Sequence, residues 1–190
     1  MRLIAHLRTA VLMTLTTTVL LGVAYPLVVT GLAQLLFRDK ADGQLIYRAG
    51  RLIGSRLIGQ RFESDRYFHG RPSAAGAGYD AAASGGRNLG PTSRSLSERV
   101  AAEVETLRRE NPDQPVPADL VTASASGLDP HVSPDAARFQ VRRVARARQV
   151  PASGLEALIA EVTEPRQFGL LGEPVVNVLL LNLEVDRRWP

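Results

Sequence analysis

The sequence predicts an α+β protein in which a single N-terminal transmembrane helix precedes one compact mixed α/β extracytoplasmic domain. Two observations predict this architecture. No charged side chain occurs from Thr9 to Phe37, and beyond that stretch apolar stripes at helical spacing alternate with short β-type runs. As a helix the uncharged stretch would extend about 43 Å, against a hydrocarbon core of roughly 30 Å. We therefore predict a short cytoplasmic tail (1–8), a transmembrane helix (9–37) and a periplasmic domain (38–190).

The composition excludes several kinds of site. The 190 residues include no cysteine, so a disulfide framework, a thiolate metal site and a cysteine nucleophile are all excluded. Lys40 is the only lysine beside 22 arginines, which leaves no lysine for a Walker-type phosphate loop or a Schiff base. Residues 38–190 carry 21 basic and 19 acidic side chains. This near balance is not typical of a nucleic-acid-binding surface.

The apolar segment is predicted to pack against other membrane helices. Pro26 would kink or open the helix, and such a break is usually covered by a neighbouring helix. Tyr25, Pro26 and Gly31 are the candidate packing residues. A cleaved signal peptide ending at Ala24 is the alternative, although apolar residues continue well past that position. In either case the body of the protein is exported, and with an uncleaved helix the N-terminus would be cytoplasmic.

The first elements of the domain follow from turn and capping signals. Residues 45–59 read as two short strands that turn at Ala49-Gly50. A helix is predicted from Ser95, which forms an S-x-x-E capping box with Glu98, to Asn111-Pro112.

Four further elements complete the predicted domain. Ser133 and Pro134 suit the first positions of a helix, and Ser153 with Glu156 forms another capping box. The last apolar run has no polar face, which is typical of a central strand. The predicted elements are a strand at 119–124, helices from Ser133 to about Arg148 and from Ser153 to Pro165, and a strand at 174–186.

One long loop, residues 67–96 (YFHGRPSAAGAGYDAAASGGRNLGPTSRSL), resembles an active-site or phosphate-binding loop. The loop contains a G-x-G-x-x-A match at 76–81. No predicted strand leads directly into it, so the match does not indicate a nucleotide site. Ser84, Gly85 and Gly86 suit either a backbone nest for an anion or a structured turn with positive φ, and the turn is favoured. A loop of this length needs ordering contacts from its own domain or from a partner.

A serine hydrolase is the enzymatic alternative. Ser84, His69 or His131, and Asp129 would supply its triad, but no G-x-S-x-G elbow supports it. His69 is better interpreted as a hydrogen-bonding residue of the loop. The arginines of the predicted second helix are interpreted as a solvated face, or else as contacts to acidic partner loops or lipid headgroups. They are Arg138, Arg142, Arg143, Arg146 and Arg148.

Several long motifs in one order resemble the C subunit of the bacterial Kdp potassium-transporting ATPase. They are GVAYPLVVTGLAQ at 22–34, GSRLIGQRF at 54–62, YFHGRPSA at 67–74, ASGGRNLGPT at 83–92, LVTASASGLDPHVSPDAA at 120–137, RVARAR at 143–148 and PVVNVLLLNL at 174–183. Arg87 stands where that family more often has a small polar residue.

The resemblance implies a non-catalytic accessory subunit, located in the bacterial inner membrane, of a high-affinity ATP-driven potassium uptake complex. It implies three partners, namely a channel-like potassium-binding subunit, a P-type ATPase subunit and a small membrane peptide, and no nucleic acid. ATP and K⁺ would be used by the complex, with no cofactor bound tightly to this chain. The family is described as a catalytic chaperone that raises the ATP affinity of the ATPase subunit.

The predicted location of the domain also limits how the chain could affect ATP affinity. A domain outside the membrane could not reach a cytoplasmic nucleotide site, so any effect on ATP affinity would be allosteric. We expect the long loop to pack on its own domain and at a partner interface, with Arg71 and Asn88 as anchors. The candidate loop and interface residues are His69, Arg71, Ser84, Gly85, Gly86, Asn88 and Asp129. A membrane-anchored periplasmic hydrolase and a released periplasmic binding domain remain the alternative functions.

Overall fold

The computed structural model describes residues 2–190, and the chain divides after Leu45 into two compact units. The first unit is a run of helical segments. A π-helical stretch connects its two long helices, and a single short turn of helix follows them. The segments are α1 (Arg2–Thr17), the π-helical stretch (Thr18–Ala24), α2 (Tyr25–Leu36) and α3 (Arg38–Ala41).

The helical run Arg2–Leu36 is long and apolar enough to cross a membrane, as predicted. No residue of α1, α2 or the π-helical stretch is buried. Pro26 explains the π-helical stretch, because proline lacks an N–H and its ring crowds the carbonyl four residues earlier. Wider i→i+5 hydrogen bonding just before the proline accommodates that crowding. The expected local opening of the helix at Pro26 is therefore observed.

The second unit contains four helices and four short strands within the described residues. The predicted hairpin is confirmed, with Ala49 at φ 50° and Gly50 at φ 76°, the left-handed pair that a two-residue hairpin turn requires. The elements are β1 (Leu45–Arg48), β2 (Arg51–Ser55), α4 (Arg94–Glu110), a 3₁₀ turn (Ala118–Leu120), β3 (His131–Val132), α5 (Pro134–Arg148), α6 (Ala152–Val162), β4 (Val176–Asn177) and α7 (Val178–Arg188).

The core lies where α5, α6 and α7 meet the two-residue sheet of β3 and β4. That sheet is antiparallel, with Val132 opposite Val176 and His131 opposite Asn177. Helix α6 contributes fully buried Leu155, Leu158 and Ile159. The other large side chains with essentially no exposure are Phe68, Phe139, Val144, Leu181 and Val185.

The predicted strand at 174–186 is wrong. Only Val176–Asn177 is strand, and Val178–Arg188 is helix α7. Asn177 caps the helix, since its side-chain oxygen accepts a hydrogen bond from the amide of Leu180 at 3.2 Å. Val178, Leu181 and Val185 then recur at helical spacing on the buried face. An apolar run that continues on both faces fits a buried helix as well as a central strand, and here the asparagine cap decides between them.

The predicted strand at 119–124 is also wrong, because the chain there forms the 3₁₀ turn Ala118–Leu120. Asp119 accounts for it. Its carboxylate accepts hydrogen bonds from the amide of Ser133 at 2.6 Å and from the Ser133 hydroxyl at 3.1 Å. These bonds tie the turn to the start of α5, so the segment does not extend to pair with a strand.

One of the three predicted helix caps is confirmed. Ser133 caps α5 and its side chain accepts from the amide of Ala136, as predicted. The cap of α4 is Ser93 and not Ser95, so the predicted capping box with Glu98 does not form. Helix α6 begins after Pro151 without a side-chain cap, so Ser153 is not its N-cap. Short capping motifs recur by chance along a chain, and packing selects among them.

The interpretation of the α5 arginines as one solvated face is wrong for two of the five. Arg143 and Arg148 are buried, whereas Arg138, Arg142 and Arg146 are exposed. Arg148 donates to the carbonyls of Arg66 and Trp189 and to Asp186. Its guanidinium also lies 4.8 Å from the ring centre of Tyr67. These two arginines hold the segment that leads into the long loop.

Candidate functional site: the anchored long loop

Arg71 and Asp129, predicted separately as anchors, form an ion pair in the structure. The Arg71 guanidinium donates to Asp129 at 3.0 Å and to the carbonyl and hydroxyl of Thr122 at 3.3 Å each. The two charged side chains are only 25% and 27% exposed. Their hydrogen bonds fasten the first part of the long loop to the segment between the 3₁₀ turn and β3.

Asp129 is held in its ionised form. Burial alone would raise the pKa of its carboxyl group, but hydrogen bonds from His131 and Arg71 outweigh burial and hold that pKa below its ordinary value. The amide of His131 donates to one carboxylate oxygen at 3.0 Å, while Arg71 occupies the other. Asp129 is thus a structural acceptor at a turn.

Ser73 and Tyr79 form hydrogen bonds within the loop, and neither residue was predicted from the sequence. The Ser73 hydroxyl donates to the carbonyl of Gly127 at 2.6 Å and accepts from the amide of Tyr79 at 2.7 Å. The Tyr79 hydroxyl donates to the carbonyl of Arg71 at 2.6 Å. Burial raises the pKa of Tyr79 to about 12. A serine can bond to nearby amides in a turn, which is the one local signal that could have identified Ser73.

Two buried amide side chains bind the loop backbone in place of a neighbouring strand. Asn182 accepts from the amide of Phe68 at 2.8 Å and donates to its carbonyl at 2.9 Å. Gln140 accepts from the amide of His69 at 2.8 Å and donates to its carbonyl at 3.1 Å. No sequence signal identified these partners, because each lies more than 70 positions from the loop residue that it binds.

His69 lies on the inner side of the loop as a structural residue. Its Nε2 atom is 3.1 Å from the carbonyl of Ser64 and 3.4 Å from a guanidinium nitrogen of Arg143. Burial lowers the pKa of His69, and the Arg143 charge lowers it further. The imidazole is therefore neutral at pH 7, and its nearest polar neighbours include no nucleophile.

The segment Ser84–Gly86 passes close to the backbone of residues 125 and 126. The Ser84 hydroxyl and the Gly85 amide both donate to the carbonyl of Ser126, at 3.0 and 2.9 Å. Neither glycine has positive φ, so the expected reason for them is wrong. Gly86 is needed because a Cβ there would lie 2.8 Å from the carbonyl oxygen of Ala125. The Gly85 amide is already bonded, which argues against an anion nest at this point.

Asn88 differs from the other predicted anchors. It is exposed, adopts φ 51°, and makes no side-chain hydrogen bond with residues 2–190. Asparagine tolerates this left-handed backbone better than most residues. Asn88 therefore shapes the loop backbone, and its side chain is free for a partner.

A cavity of about 510 Å³ lies between the loop, α4 and α5. Each of its charged residues already has an ion-pair partner in the domain. Arg143 donates to Glu110 at 2.7 Å, to Gln140 at 2.7 Å and to the carbonyls of Asp65 and Tyr67. Ser84, the candidate nucleophile, bonds a carbonyl and not a histidine. The geometry therefore assembles no Ser-His-Asp triad from the predicted residues.

The candidate membrane-packing residues touch little within their own helix. Tyr25 is 62% exposed, and a Cβ on Gly31 would meet no atom within 4 Å. Pro26 occupies the first turn of α2, directly after the π-helical stretch. These three positions leave an uncovered surface on the helix, as a packing face for another helix would require.

Across residues 2–190 these features define a class of protein: a domain with an internally bonded loop, in which the predicted triad residues are not assembled, that follows an apolar candidate membrane helix. The profile of the family described as "KdpC: K+-transporting ATPase, c chain" matches residues 7–187. The chain belongs to this family. Membership makes it an accessory subunit of a potassium-transporting ATPase complex and not the catalytic subunit.

Curated relatives agree over nearly the full length. A protein named "Potassium-transporting ATPase KdpC subunit" from Koribacter versatilis is 58% identical, over 97% of this chain and 96% of its own. The protein of the same name from Myxococcus xanthus is 62% identical, over 91% of this chain and 83% of its own. The protein of the same name from Rhodospirillum rubrum is 55% identical, over 97% of this chain and 96% of its own.

Proposed function

We propose that this chain stabilises and helps to assemble a high-affinity, ATP-driven potassium uptake complex. In this proposal the helix Arg2–Leu36 crosses the inner membrane with its N-terminus in the cytoplasm, and the domain lies on the periplasmic side. The observation that carries it is an apolar helix with no buried residue in its own chain. Such a surface is stable only against lipid or other membrane helices.

The proposed partners are a channel-like potassium-binding subunit, a P-type ATPase subunit and a small membrane peptide. The domain would dock on the extracellular face of the channel-like subunit, where it could stabilise that subunit or shape potassium entry. Asn88 and Arg146 are exposed and could contribute polar contacts there. Within residues 2–190, no group of three His, Asp or Glu side chains is arranged to hold a metal ion.

We propose that any increase in ATP affinity of the complex acts through the membrane helix. Two features support an indirect effect over direct nucleotide binding. The loop glycines follow no strand, and the arginines at the cavity wall, Arg71 and Arg143, already donate to protein acceptors. Purified chain in detergent should therefore bind no ATP at physiological concentrations. Saturable ATP binding that excess unlabelled ATP displaces would contradict this part of the proposal.

Co-purification tests the proposal as a whole. A tag on this chain should recover a channel-like subunit and a P-type ATPase with potassium-stimulated ATP hydrolysis. The orientation of the chain in the membrane can be tested separately by cysteine labelling. The chain has no cysteine, so a single introduced cysteine is its only labelling site. Arg87→Cys, on the exposed part of the loop, should react with a membrane-impermeant maleimide in spheroplasts. Labelling only after lysis would place the domain in the cytoplasm and refute the topology.

A further inference from the structure

An ordered hairpin projects from the domain between α6 and β4. Glu164 and Val175 exchange backbone hydrogen bonds at 2.8 and 3.0 Å, and Gln167 and Leu171 exchange two more at 2.9 Å. Arg166 and Glu173 form an ion pair across its two arms, 2.5 Å apart. With two more backbone hydrogen bonds inside the turn, from Gly169 to Arg166 and from Leu170 to Gln167, six such bonds define the shape of the hairpin.

The end of this hairpin carries three large apolar side chains that the domain does not cover. Phe168 is 92% exposed, Leu170 80% and Leu171 60%; we call them the apolar tip. The other exposed large apolar residues of the domain are between 37% and 61% exposed. Single exposed apolar residues are ordinary, but three adjacent ones on a rigid projection are typical of a binding surface.

The tip of the hairpin turns through two consecutive left-handed residues. Phe168 has φ 53° and Gly169 has φ 74°. Glycine adopts this left-handed region readily, whereas a bulky aromatic residue there is a true outlier. The two residues form the turn of this hairpin, as Ala49 and Gly50 do in the other, and the amide of Leu170 donates across it to the carbonyl of Gln167 at 3.1 Å. The turn requires left-handed residues but not an aromatic one, and the Phe168 ring, 92% exposed, contributes little to the packing of the domain.

We infer that the apolar tip inserts into an apolar cleft on the extracytoplasmic surface of another subunit of the complex. This inference rests on the proposed function and names the surface through which the domain would dock. An aromatic ring with two leucines, fixed in position before contact, has the composition of a binding hot spot. It also loses little conformational entropy on association.

The charges beside the tip favour a protein cleft over a lipid surface. Glu164 and Glu173 flank it together with Arg166, and Arg166 is already paired with Glu173. Loops that enter anionic membranes are flanked by free lysine or arginine, which attract the headgroups. This hairpin offers one unpaired acid and no unpaired base, so an anionic bilayer would repel it.

A second copy of this chain is a poor receptor for the tip. A convex apolar projection needs a concave apolar partner, and two cavities of the domain, of about 510 and 480 Å³, include charged residues in their walls. The cavity beside the loop includes Arg61, Glu103 and Glu110, and the next includes Asp119 and Glu156. Burying phenylalanine and leucine there would remove water from ion pairs such as Arg61–Glu63 and Arg99–Glu103 without supplying a new polar partner. These walls favour a different chain as the receptor.

A paired variant tests the inference in the assembled complex. Phe168→Asn with Leu170→Ser removes the apolar surface, and asparagine tolerates the left-handed backbone at 168. We expect about a tenfold faster release of the partner subunits from the tagged chain, as truncating hot-spot residues does. Thermal unfolding of the variant chain should match the parent, because the replaced side chains are exposed. Leu57→Ser is the matched control, at a leucine that is 55% exposed elsewhere on the domain.

The outcomes separate the inference from the proposal on which it rests. If the parent chain recovers no other subunit, the proposed function fails and the inference fails with it. If the parent recovers subunits and the paired variant releases them no faster, or Leu57→Ser releases them equally fast, the inference alone is wrong. A benzoyl-phenylalanine photo-crosslinker at position 168 should capture another subunit. Capture of lipid, of a second copy or of nothing would overturn the inference.

Discussion

Arg71 and Arg143 both help to hold the long loop, but through different hydrogen bonds. Arg71 belongs to the loop and donates outward to Asp129 and Thr122. Arg143 belongs to α5 and donates to the carbonyls of Asp65 and Tyr67 just before and at the start of the loop. A guanidinium has five N–H donors in a fixed fork, so one arginine can satisfy several carbonyls that no strand covers.

Arg71→Ala should destabilise the domain and weaken assembly without an effect on the chemistry of the complex. It removes charge-assisted hydrogen bonds and leaves Asp129 partly buried without its cation. We expect the free energy of unfolding to fall by about 2 kcal/mol, measured by urea denaturation of the purified chain. Arg61→Ala is the control, because the exposed Arg61–Glu63 pair should contribute less than about 0.5 kcal/mol. A complex that assembles normally with Arg71→Ala but has lost ATP turnover would contradict this account.

The stability of the domain should fall as pH decreases through the range in which His69 titrates. The folded pKa of His69 lies below its ordinary value of 6.5, so near and below that pH the unfolded chain binds a proton that the folded chain resists. Stability is therefore complete above pH 6.5 and decreases as the pH falls toward the lowered pKa. His69→Gln should flatten this part of the curve, measured by urea denaturation from pH 7.5 to 5. An unchanged slope in the variant would assign the effect to other groups.

Helix α7 shows that single polar residues can decide the structure of an apolar segment. Its run VNVLLLNLEVD is apolar enough for a strand, yet Asn177 and Asn182 give it a different structure. Asn177 caps the helix and also donates to the carbonyl of Arg56 at 2.9 Å. Asn182 faces inward, 1% exposed, where its amide binds Phe68 of the loop. The same helix thus contributes core leucines and one hydrogen-bonding residue that orders the loop.

Asn177→Ala should destabilise the domain more than a change at a predicted cap that the fold does not use. The substitution removes the cap of α7 and leaves the carbonyl of Arg56 unpaired, for an expected loss of about 2 kcal/mol. Ser153→Ala should change stability by less than about 0.5 kcal/mol, since Ser153 is exposed and caps nothing. Equilibrium urea denaturation of both variants provides the comparison. Equal losses would mean that the assigned caps are wrong.

Over the whole molecule, local signals predicted the features that depend on neighbouring residues. The apolar helix, the hairpin turn at Ala49-Gly50 and the Ser133 cap each follow from a few adjacent side chains. The loop contacts could not be predicted in the same way. Asn182 and Gln140 bind the loop across 114 and 71 positions of sequence, and no local pattern encodes such a pairing. Long-range hydrogen bonds of this kind require the fold before the partners can be named.

The two units of the chain should be separable in folding but not in function. The fragment 46–190 contains the whole hydrophobic core, so it should unfold cooperatively at the same temperature as the full chain. Exported without residues 1–45, it should not remain bound to the other subunits through purification. Replacing Arg2–Leu36 with an unrelated apolar helix provides the sharper control, because it restores a membrane anchor without Tyr25, Pro26 and Gly31. We expect the chimera to recover less of the complex than the parent chain does. Full recovery by the chimera would show that the helix acts only as a tether, and the proposed route from the domain to the ATPase subunit would then be wrong.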